Sequence, residues 1–431
     1  MGCLANARLT GREEAVMKNL KTQYLLLILG FIALPFLVEA IPMLGPTWVR
    51  ILGFAMLYVL LALGLNIVIG YAGLLDMGYI GFYAIGAYLY ALLASPHLQM
   101  AGLLEAVLDW PVWVIIPLAA VAAAICGVLI GAPVLKLRGD YLAIVTLGFG
   151  EIIRIFMNNL DQPVNLTNGP QGISNIAPMH VDFGAWAHAP GAGATPVLSL
   201  QQSWSLFGLP VSPVISYYLF FLFVVILCIV LSKRLEVSRI GRAWMALRED
   251  EVAAEAMGLN KRNLKLLAFA MGATFGGVSG VLFSSYQGFV SPESFTLMES
   301  IMVLAMVVLG GMGSIRGVVL GALILSVMPE LFRDLVNWVQ PWVMDNVTFI
   351  SRDILRNVLD ASTLRMLVFG LALILVMRFR PEGLWPSSRR RAELHDDDPE
   401  AEPAPAVLST TINGPASEAS FELPIKQADK A

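Results

Sequence analysis

Residues 51–70 read Ile-Leu-Gly-Phe-Ala-Met-Leu-Tyr-Val-Leu-Leu-Ala-Leu-Gly-Leu-Asn-Ile-Val-Ile-Gly, twenty positions with no charged side chain and a single amide, Asn66. A helix rises ~1.5 Å per residue, so about 20 mainly apolar residues cross the ~30 Å hydrocarbon layer of a bilayer. A helix also bonds its own backbone polar groups, which that layer demands. The stretch therefore predicts a membrane-spanning helix. Residues 24–43, 112–135, 217–231 and 266–286 carry the same signature. Residues 79–94 form a shorter, aromatic-rich run, and 141–158 is interrupted by Glu151 and Arg154. Residues 300–311 and 317–330 are separated by a glycine-rich turn, and 364–377 is the last candidate. Ten spans result, and the expected fold class is an all-α polytopic membrane protein. Composition points the same way: 57% of the 431 residues are hydrophobic and 14% charged, against about 25% charged in soluble domains.

Lys and Arg in short loops set orientation, because such loops stay on the cytoplasmic side. Arg8, Arg12, Lys18 and Lys21 precede the first span, and Lys136 and Arg138 follow the fourth. Lys233, Arg234, Arg239, Arg242, Arg248, Lys261, Arg262 and Lys265 cluster after the sixth, and Arg378, Arg380 and Arg389 to Arg391 follow the last. Segments 95–111 and 160–216 contain neither residue type. Ten spans put every basic cluster on one side, with both termini cytoplasmic, while Arg50 and the 352–356 region run against the rule. The apolar run 24–43 is too long for a signal-peptide core. Residues 1–19 read as a cytoplasmic N-terminal extension, with Met17 the expected start. Residues 387–431 pass from an acidic run to Pro-, Ala- and Ser-rich sequence, too poor in apolar surface to offset ordering entropy; a disordered cytoplasmic tail is expected.

Several function classes fall away. No Gly-x-x-x-x-Gly-Lys-Ser/Thr phosphate loop occurs, so the chain does not hydrolyse ATP in that way. No metallohydrolase or nucleophile-elbow motif occurs either. Cys3, Cys126 and Cys228 match no metal or disulfide spacing, and His97, His180, His188 and His395 all lie outside the spans. No catalytic residue, metal site or enzymatic activity is expected.

Four features carry chemistry. Gly272, Gly276 and Gly280 recur every fourth residue in one span, a spacing that lets helix backbones approach closely; packing within the bundle is expected rather than self-dimerisation. Gly70, Gly73, Asp76 and Gly78 interrupt membrane-deep sequence between the second and third spans. Irregular backbone there must be buried in protein or line a wet cavity, so the segment reads as part of a translocation path or as a plain interhelical turn. Glu151 and Arg154 share one helix face and read either as a pathway element or as a self-neutralising pair. Finally, 241–258 is helix-favouring, charged and too polar to span. Within the loop 232–263 it forms a hook suited to a soluble partner, with Asp250 or a neighbour capping a short helix and Gly258 ending it.

At these residues the sequence resembles the permeases of branched-chain amino acid ABC importers, specifically the M-type partner of a two-permease pair. The matching stretches are 65–90, 137–155, 167–173, 241–258, 308–321 and 380–386, with 137–155 the most specific. The resemblance implies that residues 20–386 form a multi-pass permease domain of the cell inner membrane. It implies a second permease, two ATP-binding subunits and a periplasmic substrate-binding protein as partners, with membrane lipid around them and no nucleic acid. ATP would be bound by the partner subunits, with no cofactor in this chain. Such permeases dock the ATPase through a Glu-Ala-Ala-x-x-x-Gly loop. Ala253, Ala254 and Gly258 match that pattern, Val252 stands where its glutamate would be, and Glu251 is one place off. The docking set is thus Arg248, Glu249, Asp250, Glu251, Ala253, Ala254 and Gly258, and residues 167–172 would face the binding protein. The implied mechanism is alternating access for leucine, isoleucine and valine. A path of small residues and few charges suits urea or short amides equally well. An ion-coupled secondary transporter is the other alternative, with Asp76 and Glu151 as its candidate acids.

Overall fold

The computed structural model describes residues 29–41, 45–100, 110–134, 137, 139–182, 197–200, 204–206 and 209–346, with 370–371, 374, 378–380 and 383–386 near the C-terminus. The helices are α1 (Leu29–Ala40), α2 (Gly45–Asn66), α3 (Ile80–Leu93), α4 (His97–Met100), α5 (Val112–Val134), α6 (Asp140–Asn159) and α7 (Pro213–Val237). They continue with α8 (Arg239–Glu249), α9 (Glu251–Ala256), α10 (Lys261–Gln287), α11 (Leu297–Gly310) and α12 (Ile315–Asn346). Among the described residues seven helical segments are long and apolar enough to cross a membrane: Gly45–Tyr71, Val112–Val134, Tyr141–Asn159, Pro213–Val237, Lys261–Gln287, Pro292–Gly310 and Ile315–Val336. The expected spans 24–43 and 79–94 correspond to the shorter apolar helices α1 and α3. The expected span 364–377 lies outside the described residues apart from 370–371 and 374, as do the whole of 1–19 and 387–431.

The loops carry structure of their own. Within the charged segment 232–263, α7 continues to Val237 and α10 begins at Lys261. The mostly helical structure is consistent with an all-α polytopic membrane protein, and its loops add three two-stranded antiparallel ladders. β1 (Ile173–Ser174) pairs with β6 (Phe289–Val290), β2 (His180–Asp182) with β3 (Val197–Ser199), and β4 (Trp204–Leu206) with β5 (Leu209–Val211). Outside a helix, chain must find partners for its backbone groups, and short ladders supply them.

α2, α3 and α10 are the interior helices. Leu57 to Leu65 on α2 are buried with the single exception of Tyr58, and α10 buries Phe269, Ala273, Val281 and Leu282. The peripheral helices instead present apolar side chains outward, such as Leu129 on α5 (66% exposed) and Ile144 on α6 (63%). That pattern is costly in water and neutral against lipid tails, since lipid is as apolar as leucine. With no hydrophobic drive between helices, close packing holds them, and α10 carries most of it. A Cβ at Gly272 would collide with Val68 just beyond α2, one at Gly276 would press on Phe82 of α3, and one at Gly280 would meet the Tyr83 carbonyl of α3. All three contacts lie within the single chain.

Loops sort to two ends. At one, Ala177 N–H donates to Ala94 O (2.7 Å), Met179 N–H donates to Ser285 Oγ (2.9 Å), and β1 meets β6. At the other, α2 runs on through a π-helical turn, Ile67–Tyr71, towards α8 and the turn between α11 and α12. The chain then returns: Leu384 N–H donates to Leu309 O (2.8 Å) and Trp385 N–H to Gly310 O (3.1 Å). Those two carbonyls belong to the last turn of α11, where the helix offers them no donor.

Candidate functional site

The segment that joins α2 to α3 leaves the helix by steps. In the π turn the backbone bonds lengthen to Ala72 N–H on Ile67 O and Leu74 N–H on Val68 O; single π turns recur at functional sites. Gly73 then adopts φ +69°, a left-handed conformation that only glycine reaches without strain. Asp76 follows, 2% exposed, its Oδ1 accepting from Gly78 N–H at 2.9 Å. Its Oδ2 is also buried and has no hydrogen-bond partner among the described residues. Met77 N–H donates to Thr146 Oγ1 of α6 (3.0 Å), and a Cβ at Gly78 would strike the Thr146 carbonyl. Tyr79 OH donates to Gly272 O of α10 (3.1 Å), and Ile80 N–H donates to Ser300 Oγ of α11 (3.2 Å). The four residues expected to contribute to a path, Gly70, Gly73, Asp76 and Gly78, thus lie on one irregular strip, which packs against α6, α10 and α11.

Glu151 and Arg154 are arranged differently. Thr146 and Gly150 face the strip, whereas Arg154 turns away to two carboxylates. Its Nη2 and Nε bond Glu151 Oε1 (2.6 and 3.0 Å), and its Nη1 bonds Glu293 Oε1 (3.0 Å). The pair is therefore a triad with one excess negative charge, and Glu293 was not legible from the helix face alone. Near it, 167–173 folds back on α6 through Thr167 Oγ1 donating to Met157 O (2.6 Å), leaving Pro170 and Gln171 exposed.

The hook is two short helices at a corner. Ser238 caps α8 by accepting from Gly241 N–H (3.1 Å). Asp250 ends α8 and starts α9 in an extended conformation, its Oδ1 accepting from Val252 N–H (2.7 Å) and Ala253 N–H (3.0 Å). These donors, Ala253 first, hold the Asp250 carboxyl below the usual carboxylate range. Gly258, at φ +86°, ends the element. Trp244 is wholly buried with its Nε1 on Leu264 O (2.8 Å). Glu251 is ion-paired to the buried Lys265, and Lys261 to Glu255 (2.6 Å). Arg248 points inward, its Nη1 donating to Gly70 O at 2.6 Å.

The seven expected docking residues accordingly divide. Glu249, Ala253 and Gly258 are exposed, Ala254 is buried, and Arg248, Asp250 and Glu251 are tied within the chain. The structure adds two exposed apolar residues in the hook, Val252 (71%) and Met257 (85%). Their signal in the sequence was an aliphatic pair inside a charged stretch. Among the described residues no cluster of three His, Cys, Asp or Glu side chains forms a metal site.

Comparison with known proteins adds a family. A family profile described as "Branched-chain amino acid transport system / permease component" matches residues 47–377. The "High-affinity branched-chain amino acid transport system permease protein LivM" of Escherichia coli (strain K12) is 42% identical over 381 residues, covering 87% of this chain and 79% of that protein. The LivM of Salmonella typhimurium is 42% identical over 360 residues, covering 83% and 74%. A shorter match, 38% over 94 residues, joins 22% of the chain to 30% of the Salmonella typhimurium "High-affinity branched-chain amino acid transport system permease protein LivH". No solved structure gives a significant match.

Proposed function

Because the chain belongs to the branched-chain amino acid transport system permease family, we propose that it is the pore-forming subunit of an ABC importer for leucine, isoleucine and valine in the inner membrane. The observation that carries this reading is the 42% identity to LivM over most of both chains. The bundle adds support: a helical hook with two exposed apolar residues, Val252 and Met257, is clamped between two spans of a chain that has no phosphate loop. The hook receives a separate ATPase, and a second permease completes the pore. The match to LivH supports such a relative as the pore partner, and a periplasmic binding protein delivers the ligand. Ten spans with both termini cytoplasmic fit the sorting of the loops to two ends. Urea, short amides and ion coupling gain no support from these relatives.

The mechanism is alternating access. ATP binding moves the hook, and the hook biases two packings of the bundle, a two-state equilibrium that needs differential contact in each state. The irregular strip 70–81, with Asp76 and backbone dipoles, lies on the route of a zwitterion whose side chain is apolar. The test is radiolabelled leucine uptake in cells that lack the chain but keep its partner genes, with and without the chain restored. Uptake is expected to return with the chain, to vanish when the partner ATPase is inactivated, and to be competed by unlabelled isoleucine but not by urea. Uptake that survives loss of the ATPase would overturn the reading.

A further inference from the structure

The expected docking set includes Arg248, but its side chain turns into the bundle. It leaves the last turn of α8 and crosses to the end of α2, where its Nη1 donates to Gly70 O at 2.6 Å. In the π turn the neighbouring amides bond elsewhere, Gly73 N–H to Ile69 O and Leu74 N–H to Val68 O. The guanidinium thus meets a carbonyl at the point where the regular ladder of α2 breaks.

Two backbone segments close around this contact, and each does so through glycine. A Cβ at Gly73 would come 2.8 Å from Arg248 Cγ, so the stem of the arginine lies flat on that residue. Gly313, at φ +81° in the turn between α11 and α12, sits against both Arg248 Nη1 (3.4 Å from a would-be Cβ) and Gly70 O (3.3 Å). Gly313 N–H donates to Asn66 Oδ1 at 2.8 Å, and a Cβ at Gly70 would lie 2.6 Å from Gly313 N. The hook, the broken end of α2 and the α11–α12 turn are therefore joined in one hydrogen-bonded knot. From that knot the strip 70–81 runs directly to Asp76.

We propose that Arg248 is a positioning residue, a strut that transmits displacement of the hook to the end of α2 and to the α11–α12 turn, while the exposed edge of α9 makes the ATPase contact. Docking and transmission are then separable within one hook. This rests on the permease reading given above. A guanidinium suits a strut because it is planar, always charged and presents donors in a fixed fork, whereas a lysine ammonium is a point charge on a flexible stem.

The experiment uses the whole complex, with its second permease, ATPase subunits and binding protein, reconstituted in proteoliposomes. Three quantities are read for each variant: ATPase subunits retained, ATP hydrolysed, and leucine imported per ATP. Arg248→Ala is expected to keep the ATPase subunits and hydrolyse ATP while import per ATP falls about ten-fold, within the range of typical coupling free energies. Arg248→Lys is expected to recover part of that loss. Met257→Asp is expected to do the converse, releasing the ATPase subunits. Gly73→Ala, which pushes the stem off its seat, is expected to reproduce the Arg248→Ala defect and serves where that variant does not assemble. Loss of the ATPase subunits from Arg248→Lys and Gly73→Ala would make Arg248 a docking residue and overturn the proposal. Wild-type import per ATP in either Arg248→Ala or Gly73→Ala would also overturn it. A wild-type complex that imports no leucine would overturn the permease reading itself, leaving the strut nothing to transmit.

Discussion

The glycine seams around α10 and the hook formed by α8 and α9 are held by opposite means. At the seams backbone rests on backbone: Gly280 lies against the Tyr83 carbonyl, and a Cβ at Gly277 would come 2.6 Å from Ala123 Cβ and 2.8 Å from the Ala119 carbonyl. The hook is held by side chains reaching across gaps, Lys265 to Glu251, Trp244 to Leu264 O and Arg248 to Gly70 O. Shape complementarity of the first kind has one solution and yields only by unpacking. Ties of the second kind can be broken singly and remade. The difference locates rigidity in the seams and adjustability in the hook.

The largest expected effect breaks a seam. Gly280→Val places branched carbons against the backbone of α3 and is expected to cost about 3 kcal/mol, read as a lower thermal midpoint of the detergent-solubilised protein. A midpoint unchanged by this variant would show that the seam can give, and the contrast would fail.

A smaller loss follows from Lys265→Ala. Lys265 is buried while Glu251 is 32% exposed, so the unpaired carboxylate can be rehydrated and the cost is expected to be about 1–2 kcal/mol, below that of a fully buried pair. Hydrogen exchange should rise at 251–256 and stay unchanged along α10 beyond its first turns. Equal exchange in both regions would mean that the hook and the bundle open together.

Asp250 provides a pH test. Its carboxyl is lowered in the folded chain, so the cap is fully formed above the unfolded value of about 3.9 and is lost as pH falls through the lowered folded value. Protection of the Val252 and Ala253 amides is expected to hold at about pH 5, fade in more acid solution, and be absent in Asp250→Ala at every pH. The smallest effect on stability belongs to Met257→Ser, whose side chain is 85% exposed. Its midpoint is expected to stay within about 0.5 kcal/mol equivalent of the parent, while ATPase capture by the complex weakens.

Much of this was legible because membrane spans are written locally. Residues 51–70 and 217–231 announce helices by length and apolarity alone, and Asp250 and Gly258 mark a helix start and stop by residue type. The hook's ties were not legible in the same way. Lys265 lies fourteen positions from Glu251, and Arg154 reaches Glu293 across 139 positions; no helical period relates such pairs. Arg248 belongs to the docking set by its place in the charged hook, and only the bare backbone at Gly70 and Gly73 shows where its side chain goes. The strip 70–81 stood out by its glycines, but the helices that enclose it did not.

The return of residues 383–386 to α11 has a consequence for how the protein comes into being. Leu384 and Trp385 supply donors to Leu309 and Gly310, and Gly383, at φ +91°, packs against Gly311. A ribosome delivers α11 and α12 to the bilayer well before it delivers these residues. Until they arrive, the end of α11 beside the arginine knot lacks its last two bonds. Completion of that corner is thus a late event of biogenesis, reserved for chains that have been translated past residue 385.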